Sequence, residues 1–151
     1  MKTNKTTYSL IRRYRQAFPF LAVALAILVS ASLLGGCRKA SDNGKLDAQW
    51  QIMKIENTAD GSVSIPAEGR YICFNLHVVN LFPGHYAGNL RYDKEESRIT
   101  LDFPYDTDAS GLAALAEFGI PSNPVTFDIL KLDGKELVLC APGSVITCRR
   151  F

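Results

Sequence analysis

The fold is decided by residues 72–103, which read ICFNLHVVNLFPGHYAGNLRYDKEESRITLDF. Apolar and polar residues alternate in three runs, which is the pattern of strands with one buried face. A turn at Phe82–His85 and a charged turn at Asp93–Glu96 separate the runs. The pattern predicts an antiparallel meander that is apolar on one side and polar on the other. Its apolar side is predicted to contain Ile72, Phe74, Leu76, Val78, Tyr86, Gly88, Leu90, Tyr92, Ile99, Leu101 and Phe103.

The rest of the chain adds strands on both sides of this meander. A first strand is predicted at Gln49–Glu56, and a weaker one near Ser62–Ile65. Three more strands follow residue 124, separated by turns at Asp133-Gly134 and Pro142-Gly143. Asp-Gly between two alternating runs is a strong hairpin signal. The C-terminal part is therefore predicted to be antiparallel as well.

One short helix, at about residues 110–118, interrupts the strands. Its N-terminal cap is predicted at Ser110 and its end at Gly119. Seven to eight strands with one helix predict an all-β domain, either a small antiparallel barrel or a strongly curved meander. Closure of the sheet would remove the exposed strand edges. The helix face predicted to point inward contains Leu112, Leu115 and Phe118.

The N-terminal segment has the features of an export signal. Residues 1–36 contain five basic residues and no acidic residue, and an apolar run extends from Phe18 to Leu34. The run ends in Leu34-Gly35-Gly36-Cys37, which resembles the lipobox of bacterial lipoproteins. We therefore expect a lipoprotein signal peptide over 1–36 and lipidation of Cys37. A retained signal-anchor helix is the alternative, and the Arg12-Arg13 pair resembles a twin-arginine signal with poorly matching flanks.

The predicted mature protein consists of a tether and one domain. Residues 37–45 form the lipidated cysteine and a polar tether, and 46–151 form the β domain. No acidic retention or surface-display signal follows Cys37, so we expect acyl chains such as palmitate to hold the protein on the periplasmic face of the outer membrane. Surface exposure is the alternative. Removal of 1–36 leaves 12 basic and 15 acidic residues, a net charge of −3, which excludes a nucleic-acid-binding interpretation of the basic full chain.

Two stretches resemble the lipocalin-like domains found on lipoproteins of Bacteroidota. Residues 46–52, LDAQWQI, resemble the Leu-x-Gly-x-Trp opening of those domains, with Ala48 in place of glycine. Residues 127–139 and the final Arg-Arg-Phe resemble their last hairpins. The resemblance implies a barrel in which Trp50 packs at the closed end beneath Arg149 or Arg150, a structural role.

The cysteines that follow Cys37 allow one disulfide in an exported protein. Cys140 and Cys148 flank the last turn. A five-residue loop, 142–146, would place them opposite each other, whereas a two-residue loop at Pro142-Gly143 would place them on opposite faces. The pairing of Cys140 with Cys148 and a pair of small buried residues both remain open at this point.

Other residues with chemical potential lack a recognisable arrangement. His77 and His85 are the only histidines, and no metal-binding motif accompanies them. Asp102, Asp106 and Asp108 lack the glycine and bidentate glutamate of a calcium loop. We predict no metal site, no cofactor and no catalytic residue.

The sequence thus favours a non-enzymatic binding module for a small hydrophobic ligand or an envelope lipid. The alternative is a filled barrel that acts on an envelope protein as a scaffold or inhibitor. The two hypotheses differ in whether the interior holds a cavity. The wall of that cavity is predicted to contain Phe74, Leu76, Val78, Leu90, Tyr92, Leu101, Phe103 and Phe127.

Overall fold

The structure is a computed structural model that describes residues 41–66 and 69–151. The predicted signal peptide, the predicted lipobox and Cys37 lie outside these residues. None of the helices in the described part is long and apolar enough to cross a membrane. The elements are β1 (Ala48–Glu56), β2 (Val63–Ser64), β3 (Tyr71–Asn75), β4 (Val78–Phe82), β5 (Tyr86–Asp93), β6 (Arg98–Asp102), α1 (Ala109–Ala116), β7 (Val125–Leu132), β8 (Glu136–Ala141) and β9 (Ser144–Arg150).

The strands form a closed antiparallel barrel. From β3 to β9 each strand pairs with the next, and β1 pairs with both β3 and β9. This closes eight strands into a ring, while the two-residue β2 pairs with the end of β1. The prediction of a small all-β barrel with one short helix is confirmed, and closure leaves no long free edge in these strands.

The interior follows the predicted alternation over most of the chain. The largest side chains that solvent does not reach include Trp50, Phe103, Phe118 and Phe127. Residues directly opposite each other in the register, such as Leu90 and Leu101, point to the same side and pack together. The other buried apolar residues of the barrel strands are Ile52, Ile72, Phe74, Val79, Leu81, Ile99, Val125, Leu137, Leu139, Ala141, Ile146 and Cys148.

The run 72–78, predicted as one strand, instead contains the end of β3, a two-residue turn and the first residue of β4. β3 ends at Asn75, and the turn Leu76-His77 leads to Val78, with Leu76 at a φ of 55°. A leucine in the left-handed region carries no sequence signal for a turn. The turn shifts the alternation by one, so that Val79 points inward. Leu76 and Val78 are therefore 46% and 44% exposed, and their prediction as interior residues is wrong.

The helix begins at Ala109, and its cap lies two residues earlier than predicted. Its N-terminal cap is Asp108, whose carboxylate accepts a hydrogen bond from the Gly111 backbone N–H at 2.7 Å. The predicted cap, Ser110, lies inside the first turn, because aspartate both accepts this bond and favours the positive end of the helix dipole. Leu112 is exposed, so only Leu115 and Phe118 of the predicted inner face are buried. The helix ends at Ala116, two residues before the predicted end, and Gly119, at a φ of 80°, lies in the turn that follows.

Residues 41–47 form a turn that packs against the end of the barrel where β1 begins. The Asn43 side chain is buried, and its amide donates hydrogen bonds to Asp47 Oδ1 at 2.8 Å and to the Leu76 carbonyl. Lys94 Nζ donates to the carbonyl of Asp42, and Leu46 is completely buried. Residues 41–45, which the sequence assigned to an unstructured tether, therefore belong to the folded domain in this structure.

Candidate functional site

The two ends of the barrel differ in how they are closed. We call the end at which β1 begins the base; it is covered by residues 41–47 and by the turns after β3, β5 and β7. We call the opposite end the mouth. Residues 103–124, which connect β6 to β7 and contain α1, are the mouth segment. The candidate site is the mouth, because a connecting segment rather than a strand supplies the side chains that close it.

The base is closed by Trp50 and its neighbours. The Trp50 indole Nε1–H donates a hydrogen bond to the Leu46 carbonyl at 2.9 Å, and the ring is fully buried. Arg150 lies opposite Trp50 in the register of β1 and β9, with its guanidinium carbon 6.0 Å from the ring centroid. Arg149 points to the other face and donates to Gln51 Oε1 at 2.9 Å. Of the two arginines, Arg150 thus covers the tryptophan.

The mouth is filled by apolar side chains of the mouth segment. Leu115, Phe118 and Ile120 are almost completely buried. The Phe118 ring contacts Tyr86 edge to face, with 6.1 Å between the ring centroids. At Gly119 a β-carbon would lie 2.8 Å from the Ile146 side chain, so the backbone approaches the barrel wall as closely as packing allows. The segment is inserted into the barrel end and does not merely rest on it.

One arginine in the loop before β3 holds the end of the helix. Arg70, just before β3, places its guanidinium carbon 5.1 Å from the Phe118 ring centroid. The same guanidinium makes an ion pair with Glu117 at 2.7 Å. The backbone of Arg70 is fixed as well, since its carbonyl accepts from the Ile52 N–H at 2.8 Å. We call Arg70 with Glu117 and Phe118 the latch.

Asn123 ties the two ends of the mouth segment together. Its side-chain amide accepts from the Phe103 N–H at 2.8 Å and donates to the Phe103 carbonyl at 2.7 Å. It also donates to the Asp106 carbonyl at 3.3 Å. These bonds satisfy the backbone where β6 ends. The part between residues 106 and 123 is therefore a loop with a fixed neck, held over the barrel mainly by the latch and by apolar packing.

The barrel interior is filled in this closed state. Any void that admits a water molecule would leave accessible area on the side chains around it, yet Leu101, Phe103 and Phe127 have none. An eight-stranded barrel is just wide enough for side chains to fill it. Of the predicted cavity wall, Phe74, Leu90, Leu101, Phe103 and Phe127 are interior, Tyr92 is half-buried, and Leu76 and Val78 are on the surface.

The three described cysteines are free thiols. The turn Pro142-Gly143 has two residues, which places Cys140 opposite Val145 and Cys148 opposite Leu137 on different faces of the hairpin. Of the two possibilities that the sequence left open for Cys140 and Cys148, the disulfide does not form in this structure. Burial raises the pKa of the Cys148 thiol to about 12, and also raises the pKa of Cys73.

We predict that Cys148 resists alkylation in the folded protein. Because the thiolate is the reactive form, a buried thiol whose pKa lies near 12 reacts slowly at pH 8. Iodoacetamide followed by peptide mass spectrometry should modify Cys140 well before Cys148, and both equally in urea. Equal native rates, or a peptide mass that corresponds to a bridge, would contradict the structure.

The same burial gives a dependence of stability on pH. The Cys148 pKa is 9.0 in its reference state and about 12 in the fold, so the unfolded chain loses this proton first. The contribution of the protonated Cys148 thiol to the free energy of unfolding is fully present below pH 9 and is lost as the pH rises from 9 towards 12. The urea midpoint should thus fall less between pH 8 and pH 10 in Cys148→Ala than in the wild type. An identical fall in both would refute this prediction.

The histidines and acidic residues do not converge on a common site. His77 lies in the turn after β3 at the base, and His85 lies in the turn after β4 at the mouth, where its ring packs on Phe82. Asp102 accepts a hydrogen bond from Asn89 at 3.3 Å, and Asp108 caps the helix. Within residues 41–66 and 69–151, no group of three potential metal ligands occurs.

The outer face of β5 to β8 carries shallow polar depressions that sequence reasoning did not single out. Arg98 lies at the centre, bound to Asp128 at 2.6 Å and to Glu96 at 2.8 Å. Beside it, the hydroxyls of Thr100 and Thr126 are 3.1 Å apart. These groups satisfy one another across the strands, as expected of a solvated sheet surface.

Comparison with known proteins agrees with this architecture. The family model for a lipocalin-like domain matches residues 32–151. The chain is similar to a lipocalin-like protein from Bacteroides uniformis, with 18% identity and a TM-score of 0.59 over 72% of this chain and all of that one. An uncharacterized protein from Bacteroides eggerthii is 16% identical, with a TM-score of 0.51 over 69% of this chain and 98% of that one. Among curated protein sequences, none matches.

Proposed function

Since this chain belongs to the family of lipocalin-like domains, we propose that it is a lipid-anchored, non-enzymatic binding module that takes a small apolar ligand into its mouth. The fold supports a binding module in general terms. The apolar ligand, the anchor on Cys37 and a location on the periplasmic face of the outer membrane are parts of the proposal. Any ligand must displace the mouth segment, because the closed barrel is full.

The main support for the proposal is that the side chains that fill the mouth belong to the mouth segment and not to the barrel strands. Leu115, Phe118 and Ile120 come from a connecting segment that has no strand pairing with the barrel. If this segment swings out, it leaves an apolar recess framed by Tyr86 and Ile146. A ligand that fills the recess would replace the burial of the three side chains, each worth about 1.5–3 kcal/mol.

The restraints on the mouth segment are weak enough for such an exchange. The helix has eight residues, fewer than the roughly 12–15 that an isolated helix needs. The ion pair of Arg70 with the exposed Glu117 is worth about 0–1 kcal/mol, and the contact of Arg70 with Phe118 about 0.5–1 kcal/mol. The main cost of displacing the mouth segment is therefore the exposure of apolar surface, and an apolar ligand would bury the barrel side of that surface again.

The test compares probe binding with the latch intact and broken. We expect Arg70→Met to bind the neutral fluorescent probe N-phenyl-1-naphthylamine about fivefold more tightly than the wild type. Without the latch, displacement of the mouth segment costs about 1 kcal/mol less. Arg91→Met, at an exposed arginine on the outer face of β5, serves as the matched control and should bind like the wild type. Titration of the probe's fluorescence measures all three affinities.

Two outcomes would count against the proposal. Equal saturable binding by Arg70→Met and Arg91→Met would place the probe away from the mouth. No saturable binding by any variant, including Phe118→Ala, would mean that the barrel does not open to apolar molecules.

A second function is favoured by the filled interior itself. A barrel in which Leu101 and Phe127 have no accessible surface can act through its exterior, with an envelope protein as the partner. Tyr105 in the mouth segment is 89% exposed, which suits a contact with another protein. A photo-crosslinking amino acid at Tyr105 in native membranes should then capture one discrete protein. The same amino acid at Lys131, an exposed position of β7, should capture no discrete protein. Capture at both positions would indicate nonspecific proximity.

A further inference from the structure

The chain enters the folded domain at the base of the barrel. Ser41 is the first described residue, and its hydroxyl donates to Asp47, next to the start of β1. Asn43 fixes the same turn to the Leu76 carbonyl in the turn after β3. The chain from Cys37 to Ser41 is four residues long, whereas the tether predicted from the sequence continues to Lys45. Four residues reach at most about 14 Å, about half of what an eight-residue spacer allows.

We propose that the base of the anchored protein rests on the lipid headgroups and that the mouth faces away from the anchoring membrane. The inference rests on the lipidation of Cys37 that is part of the proposed function. With acyl chains on Cys37, Ser41 cannot move more than about 14 Å from the headgroups. Because Ser41 is at the base, this distance keeps the base, and not the mouth, next to the surface of the membrane.

The surface of the base suits this position. Leu76 and Val78 are large apolar side chains that are nearly half exposed at its rim. Exposed apolar side chains beside a lipid surface partition into the headgroup region. Cations and anions are mixed here, for example Lys131 with Asp133 and Glu136, so we do not ascribe the docking to charge attraction. We infer that the base contacts the lipid headgroup layer, because the short chain between Cys37 and Ser41 holds it there.

The orientation limits the source of any ligand. β5 has eight residues, which at about 3.3 Å per residue and a tilt of about 40° separate the base from the mouth by roughly 20 Å. The mouth segment then lies beyond direct reach of the anchoring leaflet. An apolar ligand would reach the mouth from the aqueous side, carried by another protein or by an opposing surface, and would not diffuse in from the membrane below.

Photo-crosslinking to lipid tests the orientation. The full lipoprotein is produced with p-benzoylphenylalanine at Leu76 or at Leu112, an exposed position of α1 in the mouth segment. After purification and reconstitution into vesicles of phosphatidylethanolamine and phosphatidylglycerol, irradiation and mass spectrometry count phospholipid adducts. We expect at least about tenfold more adduct at position 76, because only the base is held close to the lipid.

The outcomes separate this inference from the proposed function. Equal adduct at both positions, adduct at 112 alone, or none at either would overturn the orientation while leaving the anchor and the ligand site intact. The mass of the N-terminal peptide reports acylation of Cys37 in the same samples, and its absence would overturn the anchor and the orientation together. Probe binding at the mouth does not depend on either result. A spacer lengthened by Gly-Ser residues after Lys39 should reduce the adduct at position 76.

Discussion

Replacing Phe118 by alanine is expected to lower the free energy of unfolding by about 3–5 kcal/mol and to give the protein a site for an apolar probe. Phe118 follows α1 in the mouth segment, and its ring is 2% exposed between Tyr86 and the Arg70 guanidinium. Its removal leaves a void that side chains from the rigid strands cannot fill. Urea denaturation followed by the fluorescence of the single tryptophan measures the loss, because Trp50 lies at the other end.

The matched control for this prediction lies on the same helix. Leu112→Ala removes a large apolar side chain that is 39% exposed, so stability should change by about 0.5 kcal/mol or less. Native mass spectrometry with N-phenyl-1-naphthylamine should detect a complex with Phe118→Ala and a weaker one with Leu112→Ala. If both variants were as stable as the wild type, the mouth segment would not pack in the barrel as described.

Replacing Trp50 by alanine should have an effect of similar size at the base, again about 3–5 kcal/mol. The indole is completely buried, its N–H is bonded to the Leu46 carbonyl, and it supports the turn that seals this end. Trp50→Phe keeps most of the packing and loses the hydrogen bond, so a smaller loss of about 1–2 kcal/mol is expected. Circular dichroism must follow unfolding, because these variants lack the fluorescent reporter.

The arginines beside Trp50 provide the control for that result. Arg150→Met should cost about 0.5–1 kcal/mol through the lost contact with the ring. Arg149 donates a hydrogen bond to Gln51 on the exposed face of the sheet, so Arg149→Met should leave the free energy of unfolding nearly unchanged. Equal losses for Arg149 and Arg150 would contradict the assignment of Arg150 to the closed end.

Most of the barrel could be predicted because strand alternation and turn residues are local signals. Asp133-Gly134 and Pro142-Gly143 mark hairpins by composition, and the structure has turns at both places. In the first, Asp133 Oδ1 accepts from two backbone N–H groups that follow it. The turn at Leu76-His77 was missed because neither residue type signals reversal. One missed turn inverted the assignment of faces for Leu76 and Val78.

The closure of the mouth was only partly predictable. Leu115 and Phe118 could be assigned to one helix face from their spacing. Their partner Arg70 lies in a different loop, and the bond of Asn123 to Phe103 spans 20 residues, so neither contact has a local signature. The fate of Cys140 and Cys148 depended on whether the last loop had two or five residues. That choice was open in the sequence, and only the register of β8 and β9 resolves it.

The pairing of β1 with β9 also constrains how the protein folds. Gln51 and Arg149 meet across 98 residues of chain, so the barrel cannot close before its last strand has formed. Contacts of such high sequence separation slow folding, because loop entropy is lost before the contact is gained. An exported chain has to cross the inner membrane unfolded in the general secretory route. If the chain is exported by this route as proposed, late closure keeps it unfolded during translocation and postpones assembly of the barrel until the final strand is released.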